Sequence, residues 1–441
     1  MKAAGRILSL DLLRGVAVAA MIAVNCPGGP SVYPALRHSA WSGWTTADFI
    51  FPTFIFIMGA SLAVALRREL DKSEPAAAIL SRVLRRAVVI FLLGVLSVSF
   101  PFPGFAHMRV MGVLQRIAIC YVAGALLFLG AGVRARAALA AAVLLAYWFA
   151  MTRIPVPGFG LPDLSPAGNL AAYVDARLLG AHRGAPYESE GLLSTLPAVV
   201  TALFGMFAGE ALRRGTGRAR LAAAFAAAGA AAIAAGLAWG RVFPVNKALW
   251  TSSYCVLTAG GALWALAACH AVGGLPGAER WTRPLGALGK NAIAAYFVAG
   301  TLYEVQKAAW VSAPGGGKEP LCYRATDVLF GGWLSPQAAS LAYSLAYCVA
   351  CLGIIRAASR AREWVFLRSR APESGKSGGP QTKDRGESSP GARPRSRART
   401  SSRPSGWRAA SPDRTDRAKA GSGSPPRKRP GTGSPRPPRG T

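Results

Sequence analysis

Along the chain, long apolar runs alternate with short loops dominated by arginine. The runs are Ile7–Asn25, Phe49–Leu66, Val83–Ser99, Gly112–Leu129 and Ala137–Met151. They continue with Gly191–Leu212, Leu221–Gly240, Leu249–Ala271, Leu288–Ala308 and Gln337–Arg356. Each approaches the length of about 20 residues that a helix needs to cross a bilayer core, so the pattern predicts about ten transmembrane helices. In lipid the backbone must satisfy its own hydrogen bonds, which favours helices throughout. The expected fold class is all-α, a polytopic membrane protein. Lys2 and Arg6 precede the first run as they would in a signal peptide. The run itself carries Asp11, Arg14 and Asn25 and offers no persuasive cleavage site, so it reads as a retained first helix.

Every second loop is strongly basic, the alternate ones basic-poor for their length: Arg67, Arg68, Lys72, Arg82, Arg85 and Arg86 come first, then Arg134 and Arg136. Arg213, Arg214, Arg218 and Arg220 follow, then Arg280, Arg283 and Lys290, then Arg356, Arg360 and Arg362. By the positive-inside bias these loops and both termini face the cytosol. Cys26–Asp48, Pro101–Met111, Arg153–Glu190, Arg241–Ala248 and Ala309–Pro336 then face outward. From Ala371 to Thr441 the chain is Ser, Pro, Gly and Arg with almost no aliphatic residues. Such a segment cannot bury enough apolar surface to offset chain entropy. The expected organisation is therefore a membrane domain over 1–370 and a disordered basic cytosolic tail over 371–441.

Composition changes this picture little. Of 441 residues 52% are hydrophobic and only 16% charged, against about a quarter charged in soluble domains. The net charge of +31 suggests nucleic acid at first sight. Its location in short loops and in the tail, with no aromatic-and-basic patch or zinc spacing, argues against that partner. Of the seven cysteines only Cys348 and Cys351 stand in CxxC spacing, inside an apolar run, and neither a metal site nor a disulfide framework is expected.

Ionisable and amide side chains near the spans carry the candidate chemistry, because such groups are costly in a membrane. His38, Asn25 and Asp48 gather at the outer mouth of the first two helices. An imidazole can take up a proton at neutral pH, an amide can donate to an oxyanion, and a carboxylate can orient the ring. Asp11 and Arg14 are one helical turn apart and can neutralise each other. Arg116 lies one turn inside the fourth span, and Glu190 opens the sixth. Asn246 and Lys247 precede the eighth, and Lys290 with Asn291 open the ninth at the opposite, inner side. Polar groups at both ends of a bundle suggest a cavity reachable from both sides.

Several separated stretches resemble one family. They are Ser9-Leu10-Asp11 with Arg14-Gly15, Asn25 with Gly28-Gly29, and His38-Ser39-Ala40-Trp41 through Ala47-Asp48. Phe51-Pro52 with Phe54–Ser61, and Gly112-Val113-Leu114-Gln115-Arg116, continue the likeness. Glu190-Gly191-Leu192-Leu193-Ser194-Thr195 and Pro244-Val245-Asn246-Lys247 through Tyr254 extend it, weakening towards Asn291. Together, over residues 6–356, they are similar to the membrane acetyltransferases typified by heparan-α-glucosaminide N-acetyltransferase.

The resemblance implies transmembrane acetylation, with acetyl-CoA drawn from the cytosol and an amino group of a glucosamine-type sugar acetylated across the membrane. It places the catalytic histidine on His38 and its asparagine on Asn25, slightly further apart here than in the family. No counterpart of the luminal domain that precedes the spans in the lysosomal enzyme is expected. Asp48 joins the catalytic set. Arg85, Arg86 and Lys290, with Arg116 and Asn291, are the expected acetyl-CoA contacts, and Trp41, Glu190, Asn246 and Lys247 the expected acceptor contacts. The implied location is a bacterial inner membrane facing the periplasm, with a homodimer left open as the assembly. The rival reading is an amino-sugar permease. A two-sided cavity suits a permease equally well, although no internal repeat between the halves supports it.

Overall fold

A computed structural model of the chain describes residues 7–99, 104–160, 163–184, 186–313 and 316–369. The tail expected from Ala371 onward lies outside the described residues. In chain order the helices are α1 (Leu8–Asn25), α2 (Ile50–Asp71), α3 (Ala76–Val98), α4 (Val113–Gly130) and α5 (Val133–Arg153). The short α6 (Leu170–Leu179) precedes α7 (Thr195–Arg213), α8 (Arg218–Trp239) and α9 (Ser252–Val272). Then come α10 (Ala278–Lys290), α11 (Ala292–Ala308), the single turn α12 (Leu321–Thr326) and α13 (Pro336–Ser369). A small antiparallel hairpin, β1 (Trp310–Ser312) with β2 (Lys318–Pro320), sits between α11 and α12.

Every apolar run read from the sequence coincides with one of these helices. Among the described residues eight are long and apolar enough to cross a membrane: α1, α2, α4, α5, α7, α8, α9 and α13. The other two fall short for different reasons. Arg82, Arg85 and Arg86 lower the hydropathy of α3, and α11 has 17 residues. Even so, α3 turns Leu84, Val88, Val89, Leu92 and Leu96 outward, the apolar outer surface that lipid requires. The chain is an all-α polytopic membrane protein. In three places the helix starts three or four residues later than the apolar run: α7 begins at Thr195, α9 at Ser252 and α11 at Ala292.

Contacts between loops define two ends. At one, Arg213 pairs with Asp71 at 2.6 Å, Arg136 with Glu210 at 2.7 Å, and Arg218 donates to the carbonyl of His270. At the other, Arg109 pairs with Glu188 and Glu190, Trp41 donates to the Leu164 carbonyl, and Ser42 bridges to Asn246. The arginine-rich loops thus share one end and the loop holding His38 the other.

Packing between spans relies on small residues, as it must where lipid is as apolar as the side chains. A Cβ on Gly205 of α7 would lie 1.9 Å from the Phe56 carbonyl oxygen of α2, and one on Gly59 2.0 Å from that of Ala202. Only glycine permits this approach. The pair carries a core of Phe51, Ile55, Leu62, Leu203, Trp250 and Tyr254, and this core forms the floor beneath the His38 loop.

Candidate active site

The site begins with a helix start. Thr45 through Asp48 form a capping box at the short 3-10 turn Thr46–Phe49 that leads into α2. Asp48 Oδ2 accepts the backbone N–H groups of Thr45 and Ser39, each at 3.1 Å. Its other oxygen, Oδ1, accepts Nδ1–H of His38 at 2.8 Å. Tyr254 clamps the same residue from below, donating its hydroxyl to the Asp48 carbonyl at 2.6 Å. Asp48 is fully buried while the His38 side chain keeps 42% of its surface. A carboxylate only accepts, so the proton lies on Nδ1 and the lone pair of His38 is on Nε2.

Lys247 approaches this pair from a turn more than 200 residues away. Asn246 builds the turn: its Oδ1 accepts the Leu249 N–H at 2.9 Å, and its carbonyl accepts that of Thr251 at 3.2 Å. Trp250 completes it in a left-handed conformation, φ 49°, which a bulky residue adopts only when its surroundings impose it. Gly43 of the His38 loop donates to the Val245 carbonyl at 2.8 Å and locks the two loops together. Lys247 Nζ ends 3.0 Å from His38 Nδ1, 3.4 Å from Nε2 and 3.5 Å from Asp48 Oδ1. Burial pushes the Lys247 ammonium below the usual lysine range, against the opposing pull of Asp48 and Glu190.

Beside them lies a charged cluster that sequence reading missed in part. Arg109 binds Glu188 through two nitrogens and Glu190 Oε2 at 2.7 Å. Burial alone would raise Glu188, but the Arg109 guanidinium holds its carboxyl below the ordinary glutamate range. Glu188 and Arg109 are 79 residues apart in sequence, and the only signal for them was a pair of acids two positions apart before α7.

Two cavities meet at His38. The larger, about 360 Å³, runs between α1, α2, α4 and α11 along Met21, Ile50, Phe54, Ile117, Ile293 and Tyr296, with Asn25, His38, Glu190 and Lys247 at its polar end. The smaller, about 230 Å³, is walled by Trp41, Tyr187, Phe51 and Trp250 and shares His38, Ser189, Glu190 and Lys247 with the first. Trp41 and Tyr187 meet edge to face at 4.7 Å. The exposed Asn25 amide has no hydrogen-bond partner among the described residues and borders the larger cavity.

A model of the catalytic region of heparan-alpha-glucosaminide N-acetyltransferase matches residues 6–241. The chain belongs to this family. The protein of that name from Homo sapiens is 28% identical over 352 residues, 66% of this chain and 52% of the relative. The one from Mus musculus is 28% identical over 311 residues, 57% of this chain and 47% of the relative. The chain therefore spans about half the length of the curated relatives it matches.

In this heparan-α-glucosaminide N-acetyltransferase family member the structure brings His38, Lys247, Glu190, Asn25 and Trp41 around the two cavities, with Asp48 buried behind His38 and lining neither. The remaining sequence candidates lie elsewhere. Asn246 is buried in the turn beneath Lys247 and borders neither cavity. Arg116 is fully buried behind the smaller cavity, its guanidinium 5.0 Å from the Trp250 ring centroid and bonded to Ser194 Oγ and the Gly191 carbonyl. Arg85 and Arg86 are exposed on α3, with Arg86 over the Tyr121 ring. Lys290 is exposed at the end of α10, and Asn291 donates back to the Ala287 carbonyl. None of these groups lines either cavity, although Ile293 and Tyr296 of the larger one pack against the cluster that contains Ala87 and Ile90 of α3.

Proposed function

We propose that the chain is a transmembrane acetyltransferase that moves an acetyl group from acetyl-CoA to the amino group of a glucosamine-type sugar. The observation that carries this reading is the Asp48-oriented imidazole placed where two differently built cavities join. The larger, apolar cavity suits the pantetheine arm and its thioester. Its far wall packs beside α3 and α10, where Arg85, Arg86 and Lys290 can take the charged nucleotide. The smaller suits a sugar ring, which stacks on aromatic faces such as Trp41 and Tyr187, while Glu190 attracts the acceptor's ammonium.

In the reaction His38 Nε2 removes a proton from the attacking amine, and Asp48 holds the ring in the tautomer that leaves Nε2 free. Asn25 donates its amide to the oxyanion of the tetrahedral intermediate, a contribution of about 10²–10³-fold for a single donor. Glu190 and Arg109 fix the shared wall. The positive-inside bias assigns the arginine-rich end to the cytosol, so both termini lie there and His38 faces the periplasm of a bacterial inner membrane. Acetyl-CoA, a polyanion, then stays on its own side while only the acyl group reaches the other.

Purified protein given labelled acetyl-CoA and a panel of amino sugars tests the assignment. Labelled N-acetyl sugar is expected with wild type and a loss of about 10²–10⁴-fold or more with His38→Ala. Label transfer to none of the sugars, or transfer untouched by His38→Ala, would overturn it.

A further inference from the structure

Aminolysis of a thioester requires two proton transfers. The C–N bond forms as the C–S bond breaks, so a proton must leave the nitrogen while another reaches the departing sulfur. These two atoms lie on opposite sides of the carbonyl carbon. His38 offers one free nitrogen, because Nδ1 is tied to Asp48 at 2.8 Å and the carboxylate itself is pinned by two backbone N–H groups. While Nε2 holds the amine's proton, a second donor lets the sulfur be protonated as the C–S bond breaks.

Lys247 has what the ring lacks. Its Nζ borders both cavities, lies 3.4 Å from Nε2 of His38, and sits on a flexible arm anchored by a rigid turn. No carboxylate among the described residues comes closer to Nζ than the 3.5 Å of Asp48. Asp48 does not need Lys247 to satisfy its oxygens, having His38, Ser39 and Thr45 already. A purely structural ion pair leaves the position of Nζ against the ring unexplained. One buried carboxylate thus faces two basic groups, the His38 ring and the Lys247 ammonium. Burial loosens the lysine's hold on its proton, bringing it nearer to that of an alkyl thiol.

Resting on the transferase reading above, we infer that Lys247 is the general acid of the transfer, delivering its proton to the departing CoA sulfur while His38 takes one from the attacking amine. The steps balance. Amine attack forms C–N, His38 Nε2 accepts the N–H proton, C–S breaks, and Lys247 Nζ–H protonates the sulfur. The imidazolium then returns its proton to the neutral lysine beside it, leaving amide and thiol as products and both residues as they began.

The test varies the leaving group on the full-length protein. Acetyl-CoA releases a weakly acidic alkyl thiol that needs an acid, whereas 4-nitrothiophenyl acetate releases a thiol acidic enough to depart unaided. Lys247→Met should cut transfer from acetyl-CoA by about 10²–10⁴-fold and leave transfer from the aromatic thioester, corrected for its uncatalysed rate, within severalfold of wild type. That second rate also shows the variant is folded. Lys247→Arg keeps the charge but cannot give up a proton, so it should behave as Lys247→Met does. His38→Ala should lose both donors. An Arg variant at the wild-type rate with acetyl-CoA, or a Met variant equally impaired on both donors, would overturn the assignment. A wild type inactive with both donors would overturn the transferase reading itself, and this assignment with it.

Discussion

Asp48 accepts from two backbone N–H groups on one oxygen and from the His38 ring on the other. An asparagine there can keep the backbone contacts only by turning its NH₂ towards the ring, where Nδ1–H finds no acceptor. The imidazole then moves its proton to Nε2 and loses the lone pair it needs. Asp48→Asn should therefore lower kcat on the order of 10⁴-fold with little change in thermal stability, measured by labelled-acetate transfer beside a melting curve. Equal turnover would show that the ring needs no orienting carboxylate. The sequence already placed His38 and Asp48 in one short loop, ten positions apart, and a capping box at a helix start is a local signal. It could not show Lys247 against the ring, because nothing periodic connects positions 209 apart. Asn246 illustrates the same limit from the other direction: a polar residue beside a functional one reads as a ligand until the fold reveals it holding a turn.

Among the elements, α2 and α7 approach at glycines whose missing side chains leave room for a carbonyl oxygen. Gly205→Leu would force the two apart, an overpacking that costs about 1–3 kcal/mol, and should lower the melting temperature of the purified protein. An unchanged melt would mean the contact contributes little. Short α6 is tied to the lead-in of α7 by Asp175, which accepts the Leu192 N–H at 2.8 Å. Burial pushes the Asp175 carboxyl up to about 6. Below pH ~4 it is protonated in folded and unfolded chains alike. As pH rises from there, the unfolded chain ionises first, so stability is lost through pH 6, by up to about 3 kcal/mol in all. Wild type should thus melt lower at pH 7 than at pH 5 by more than Asp175→Asn does, and parallel pH slopes would contradict this. Helices α1, α2, α4 and α5 were legible because their apolar runs are long, whereas α6 and the β1–β2 hairpin are too short to stand out within the loops that hold them. For α3, three arginines near its start obscured by composition what its exposed leucines and valines display by position.

At the scale of the molecule, the His38 loop, the Lys247 turn and the Glu188–Glu190 cluster share one end, and the arginine-rich loops share the other. The alternation of basic loops anticipated this division; the joining of two cavities at one imidazole required the fold. From Ala371 to Thr441 the sequence has almost no aliphatic residues, so truncation after Arg370 should leave transferase activity near wild type, and its loss would give the tail a part in catalysis. The division itself is tested most directly in sealed proteoliposomes sorted so that the arginine-rich loops face out, with labelled acetyl-CoA outside and glucosamine trapped inside. Labelled N-acetylglucosamine should accumulate in the lumen with wild type and not with His38→Ala, while acetyl-CoA stays outside. Unmodified glucosamine escaping at the same rate from both, with no acetylated product in either, would identify a carrier and contradict the account.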